Sequence, residues 1–204
     1  MTNVSPEQHH YQRLFGLRFG AVFSFVVSFG WLGFLSQFLS ETWQIRIMPA
    51  VTVLLVIGIG WWLFSLFREK MPKGVSLPNM GSATYWGIFW GVIIAEVILL
   101  YVLIQLLNSW GYSEAMWPLL VVVIGLHWIP LGRINGVREW SVVAILLCII
   151  EILTVLLWSH DATTNAVGQS INLWGLISTS AMVGVMLVTG FVFQALYSAT
   201  WKKS

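Results

Sequence analysis

The sequence predicts an all-α, polytopic membrane protein, a bundle of six transmembrane helices with both termini on the cytoplasmic side. Three observations carry that prediction. Hydrophobic residues make up 58% of the 204 residues and charged residues only 9%, too few charges to cover a soluble surface. The apolar residues gather into six runs, each close to the roughly 17–25 residues that a helix needs to cross the hydrocarbon of a bilayer. Lysine and arginine then fall almost wholly on one side of the resulting topology.

The predicted spans are 17–39, 48–67, 83–107, 115–134, 140–159 and 171–198, within a single membrane domain over 1–204. Residues 19–40 form a charge-free run of 22, longer than the core of about 7–15 residues in a signal peptide, so a retained first helix is expected. Turn chemistry separates the spans. Arg68-Glu69-Lys70-Met71-Pro72-Lys73-Gly74 and Pro78-Asn79-Met80-Gly81 mark one loop, Asn108-Ser109-Trp110-Gly111 and Asn135-Gly136 end two helices, and 159–169 is a polar connection. Pro49 and Pro118 are placed in first turns, where a missing N–H costs nothing. The apolar runs are continuous rather than alternating, which excludes a transmembrane β-barrel.

Orientation follows from the basic residues. With the N-terminus inside, Arg13, Arg18, Arg68, Lys70, Lys73, Arg133, Arg138, Lys202 and Lys203 lie inside and Arg46 alone lies outside. Removing any one span would scatter this asymmetry. Trp43, Trp86, Trp110, Trp117, Trp140, Trp158, Trp174 and Trp201 fall near helix ends, as an aromatic belt requires. Arg18 is expected to snorkel to the inner interface. The localisation that fits is a bacterial inner (cytoplasmic) membrane.

Several functions are excluded or disfavoured. A net charge of +2 gives no footprint for nucleic acid. Cys148 is the single cysteine, which rules out an intrachain disulfide, a thiolate cluster and a Cys-x-x-Cys pair. There is no His-Glu-x-x-His, Gly-x-Ser-x-Gly or phosphate-binding Gly-x-x-x-x-Gly-Lys motif. An enzyme is the less favoured reading, no cofactor or metal is expected, and His9-His10 reads as a polar tail. The lipid bilayer is the expected partner, and so little interior is compatible with a homodimer.

Three ionisable residues stay in the bilayer however the boundaries are drawn: Glu96, His127 and Glu151. At 1.5 Å per residue they lie roughly 20, 10 and 17 Å from the inner helix ends. A charge at mid-bilayer costs about 2.5–3.5 kcal/mol on insertion scales, so each glutamate must be protonated, paired or facing a wet cavity. Neighbouring helices carry them, and a Glu96–His127–Glu151 cluster is expected, with Glu151–His127 the better match in depth. Tyr85, Phe89, Val92, Leu103 and Leu107 share the face of Glu96, while Gly87, Gly91, Tyr101 and Gln105 lie opposite, which suggests a third helix buried between neighbours. Ala144, Leu147, Val155 and Trp158 share the face of Glu151. Gly16-x-x-x-Gly20 and Gly87-x-x-x-Gly91 are read as close-packing motifs, and Ser178, Thr179, Ser180, Gly184, Thr189 and Gly190 make the sixth helix small and polar, again for packing. The third and fifth spans are weakly alike in their Trp86-to-Glu96 and Trp140-to-Glu151 spacing, which hints at a duplicated hairpin.

Gly125-Leu126-His127-Trp128-Ile129-Pro130-Leu131 resembles a Gly-Leu-His-aromatic-x-Pro-Leu signature of uncharacterised bacterial multi-helix membrane proteins. The resemblance covers seven residues and implies no function. It links His127 with Pro130.

The expected function is a small permease or channel-like protein, with Glu96, Glu151 and His127 as its proton- or cation-responsive groups acting on a proton, cation or small solute. A membrane scaffold, sensor or partner subunit is the alternative, and an intramembrane enzyme comes third. Transport predicts a polar cavity reaching Glu96 or Glu151, whereas a scaffold predicts both carboxyls sealed among apolar side chains.

Overall fold

The computed structural model describes residues 6–39, 41–68, 83–159, 163–166 and 169–202. Six long helices dominate: α1 (Pro6–Ser36), α2 (Glu41–Arg68), α3 (Ala83–Trp110), α4 (Met116–Ile134), α5 (Glu139–Leu157) and α6 (Leu173–Trp201). All six are long and apolar enough to cross a membrane, which is the build of a multi-pass membrane protein. The predicted spans lie within or close to these helices, but α1 begins eleven residues before position 17 and α2 seven before position 48. Pro49 consequently sits inside α2 rather than in its first turn. Pro118 is the third residue of α4, after a short 3-10 turn at Ser113–Ala115.

Helix ends are built from the turn residues. Gly111 and Gly136 have φ of 78° and 68°, a left-handed conformation that glycine adopts without a Cβ penalty. At each, the following N–H returns to a carbonyl five residues back, Tyr112 to Leu107 at 2.9 Å and Val137 to Gly132 at 2.9 Å, which is the Schellman closure of a helix. Asn172 caps α6 by accepting from the Gly175 N–H at 3.0 Å. Part of the polar connection before α6 forms two short antiparallel strands, Thr163–Ala166 and Gln169–Asn172, with Thr164 opposite Ile171. Sequence alone placed the start of the sixth span within the second of these strands. The 69–82 loop, with Lys70 and Lys73, lies outside the described residues, as does Lys203.

The bundle has two ends that side-chain contacts define. At one, Arg13 pairs with Glu139, Gln12 donates to the Ile134 carbonyl at 2.8 Å, and Tyr85 donates to Asn135 at 3.2 Å. Arg18 donates to the Ser65 carbonyl at 2.8 Å at this end and lies 4.6 Å over the Tyr197 ring. Arg68, Arg133, Arg138 and Lys202 belong to it as well, and we call it the basic end. At the opposite end Gln44 donates to the Ser36 and Leu39 carbonyls, Phe38 meets Trp117, and Trp174 donates to the Trp158 carbonyl. Among the described residues, Arg46 is the basic side chain of that end. Arg18 thereby ties α1 to both α2 and α6.

α1, α4, α5 and α6 form the core, with α1–α6 and α4–α5 the most extensive pairs. Phe193 and Trp140 stack at 6.3 Å, Phe19 and Trp140 at 6.2 Å, and Trp128 and Trp140 meet at 4.9 Å. Trp140 is therefore a core residue and not part of an interfacial belt. Gly16 and Gly20 let α1 into this core. A Cβ on Gly16 would lie 2.7 Å from the Asn135 carbonyl, and one on Gly20 would lie 2.5 Å from the Phe193 ring. The second motif behaves differently, because nothing lies within 4 Å of a Cβ built on Gly87 or Gly91. α3 packs chiefly against α4 and buries only Tyr85 fully. It is a peripheral helix, not one enclosed on both faces.

Candidate functional site

Glu96 and His127 meet. The Glu96 Oε2 and His127 Nδ1 atoms are 3.2 Å apart, with the two side chains 12% and 7% accessible. The two atoms are within ion-pair distance but not aligned for a hydrogen bond, and neither His127 ring nitrogen has a hydrogen-bond partner among the described residues. Counting residues from the helix ends placed these two groups at different depths. In a helix each Cα–Cβ bond leans toward the N-terminus. α3 starts at the basic end and α4 at the opposite end, so on these antiparallel helices the two side chains lean toward each other. Pro130, one turn along α4, supplies no N–H to the Leu126 carbonyl just before His127.

Glu151 is brought to a different partner. The residue is 1% exposed, and its carboxyl accepts from the Ser178 hydroxyl of α6 at 2.6 Å. Gly125 of α4 lies against Ala144 and Leu147 of α5, which sets His127 level with the residues near Ala144. Glu151 is then about two helical turns, roughly 10 Å, farther toward the opposite end. The structure thus gives one acid–base pair between α3 and α4 and one acid–hydroxyl pair between α5 and α6. Among the described residues no group of three His, Cys, Asp or Glu side chains gathers that could hold a metal.

A cleft of about 420 Å³ runs along the opposite half of the bundle and reaches Glu151. Leu103 and Leu107 of α3, Leu119 and Val122 of α4, Val155 of α5 and Trp174 of α6 contribute to its walls. Its rim is open sideways: Trp110 is 65% exposed and Leu156 74%. The cavity that reaches an acid is therefore apolar and faces laterally, which matches neither the polar pore nor the fully sealed carboxyls anticipated from sequence. Ser178 and this cleft were not foreseen. Their signals were present in the small polar set on α6 and in Leu103, Leu107 and Val155, which share helix faces with the two glutamates.

The Ser178 contact makes a measurable prediction. Ser178→Ala removes the hydrogen-bond partner of a buried carboxyl and should lower stability by about 1–3 kcal/mol. Thermal unfolding in detergent should show it, with Ser180→Ala, on the exposed side of α6, unchanged.

No known protein family, characterised protein or solved structure matches the chain. What fold and site define together is a bundle of six helices long and apolar enough to cross a membrane, with two separately partnered acids, Glu96 and Glu151, the second among the residues that line a lateral cleft.

Proposed function

We propose that this chain is a small proton-responsive permease of a bacterial inner membrane, oriented with its basic end and both termini in the cytoplasm. The observation that carries the reading is the Glu96–His127 pair, held at 3.2 Å between two long apolar helices. Intramembrane ionisable residues are costly and mark ion and proton pathways, and histidine is the side chain best suited to change charge near neutral pH. The pair sits on α3, which packs chiefly against α4 and also forms one wall of the cleft. A proton gained or lost at the pair changes the grip of α4 on that wall. The positive-inside rule supports the orientation, and the seven-residue resemblance around His127 supports a bacterial source.

The test is solute-driven proton movement in liposomes containing the purified chain and an internal pH-sensitive dye, screened over small cationic and neutral solutes. Wild type should couple at least one solute gradient to proton flux. Glu96→Gln and Glu151→Gln should each reduce that flux at least tenfold while the proteins stay folded. Absence of flux in wild type, or unchanged flux in both variants, overturns the reading.

A scaffold or sensor is the second reading, favoured by one specific observation: each acid joins two sequential helices, Glu96 to His127 and Glu151 to Ser178. On that reading the glutamine variants lose thermal stability and no solute moves protons.

A further inference from the structure

One face of α3 is partnered and the other is not. Tyr85 and Glu96, on the inner face, tie it to α4 and to Asn135 just beyond α4. The outer face carries Gly87, Gly91, Ile94, Ile98, Tyr101 and Gln105, which recur at alternating intervals of four and three residues. A mean spacing of about 3.5 residues keeps such a row on one side of a helix and is the repeat of a left-handed helix pair. All six residues are exposed, Ile94, Ile98 and Tyr101 at 56%, 59% and 66%. A Cβ built on either glycine meets nothing within 4 Å.

Lipid alone is a poor cover for this row. α3 has 28 residues, about 42 Å of helix, against about 30 Å of hydrocarbon in a bilayer. With the two centred on each other, Tyr101 and Gln105 start inside the hydrocarbon, roughly 13 and 7 Å from the C-terminal end of α3. Each Cα–Cβ bond leans toward the N-terminus, so both side chains lean farther in, away from water. Neither the Tyr101 hydroxyl nor the Gln105 amide has a hydrogen-bond partner among the described residues. Hydrocarbon supplies none, and a polar group without one is costly there. A partner helix with its own polar groups at this depth removes that cost.

The chemistry of the row names that helix. Copies of one chain insert in the same sense, so two copies in a bilayer are related by a two-fold axis along the membrane normal. Helices astride that axis run parallel, and each residue of the row meets its own counterpart. Tyr101 and Gln105 are self-complementary, since a phenol and an amide each donate and accept. The row carries no charge to repel its copy, and Gly87 and Gly91 let two backbones approach closely. With exposed flanking residues such as Trp90 and Val97, the face offers an area on the order of the roughly 800 Å² that each partner gives to a stable interface. We infer that this face of α3 binds α3 of a second copy of the chain, forming a parallel dimer with Gly87 and Gly91 at its close crossing and Gln105 paired with its counterpart across the axis. The inference goes beyond the permease reading and holds equally for a scaffold, because the Glu96–His127 contact lies on the other side of α3 and is retained.

Disulfide trapping of the full chain in membranes tests it. On a Cys148→Ser background, Ile94→Cys and Ile98→Cys should each give a disulfide-linked dimer on treatment with copper phenanthroline. Leu99→Cys should not, although Leu99 is 47% exposed, because it lies about 100° around α3 from Ile98. Val56→Cys, on the exposed side of α2, should not either. Energy transfer between donor- and acceptor-labelled chains in liposomes then reads the strength of association, which Gly91→Val and Gln105→Leu should each weaken at least tenfold. Residue 91 meets nothing in its own chain, so Gly91→Val should keep the wild-type thermal midpoint in detergent at dilutions where the chain is monomeric. Lost association is thereby separated from lost fold. Wild-type energy transfer no greater than chance encounter means that lipid covers this face and overturns the inference. Trapping of Ile94→Cys and Ile98→Cys only to a different protein overturns it too, as does a dimer trapped through Leu99→Cys or Val56→Cys but not through the row.

Discussion

Gly20→Val is expected to destabilise the protein by about 3 kcal/mol, the upper part of the usual range for overpacking a core. At this position α1 meets its most extensive partner, α6, with α5 on the flank. A Cβ on residue 20 would lie 2.5 Å from Phe193 Cδ2 and 2.7 Å from Trp140 Nε1. Neither ring has room to yield, since both are essentially fully buried and stacked on each other. The helices must separate instead, and the aromatic contacts among Phe19, Trp128, Trp140 and Phe193 loosen with them. Gly91→Val is the matched comparison, because it belongs to the same kind of small-residue motif and meets nothing within 4 Å. It should shift the thermal midpoint in detergent hardly at all, the small loss in helix propensity of valine being offset by the greater loss for glycine. Equal midpoints for the two variants would show that α1 does not enter the core as described.

That contrast shows what a sequence can and cannot settle here. Gly16-x-x-x-Gly20 and Gly87-x-x-x-Gly91 are indistinguishable as motifs, yet the first is a close helix contact and the second an open face. Hydropathy marks where hydrocarbon begins and not where helical hydrogen bonding stops. It located six helices but missed the first turns of α1 and α2, which continue through polar residues such as Gln12 and Gln44. Charge asymmetry was more informative, because the described basic residues do gather at one end with Arg46 at the other. Trp140 looked like an interfacial residue because it lies in the first turn of α5; burial depended on Phe19 and Phe193, which are distant in sequence. The site was legible as residue types and not as pairings. Helix-face geometry grouped Leu103 and Leu107 with Glu96, and Val155 with Glu151, but could not show that these faces enclose a common cleft. In both hairpins the acid on the first helix is partnered by the second, Glu96 by His127 and Glu151 by Ser178. The partners themselves, a histidine and a serine, are not equivalent.

His127→Ala is expected to be the other strongly disruptive substitution, destabilising the protein by about 3–5 kcal/mol, as when one member of a buried ion pair is removed. The cost arises from what stays behind. Glu96 is 12% accessible in its side chain and has His127 as its ion-pair partner, so alanine leaves a carboxyl facing a void among apolar side chains. Because α3 is held chiefly by α4, the loss should appear first as release of α3, seen as faster proteolysis near its ends under conditions where α1 and α6 remain protected. Replacing both partners distinguishes this cause from simple loss of packing. If the unpaired acid is responsible, Glu96→Gln combined with His127→Ala should recover most of the stability, since a neutral amide is far cheaper to bury than a charge. If the double variant is as unstable as His127→Ala alone, the imidazole matters for its volume and the pair is not what holds α3. The same pair of variants bears on function. A permease that uses the proton at this site loses coupling in both, whereas a scaffold that needs only a stable bundle recovers with the double substitution. The stability and flux of the double variant, measured together, therefore separate the two readings that the geometry of Glu96 and His127 supports.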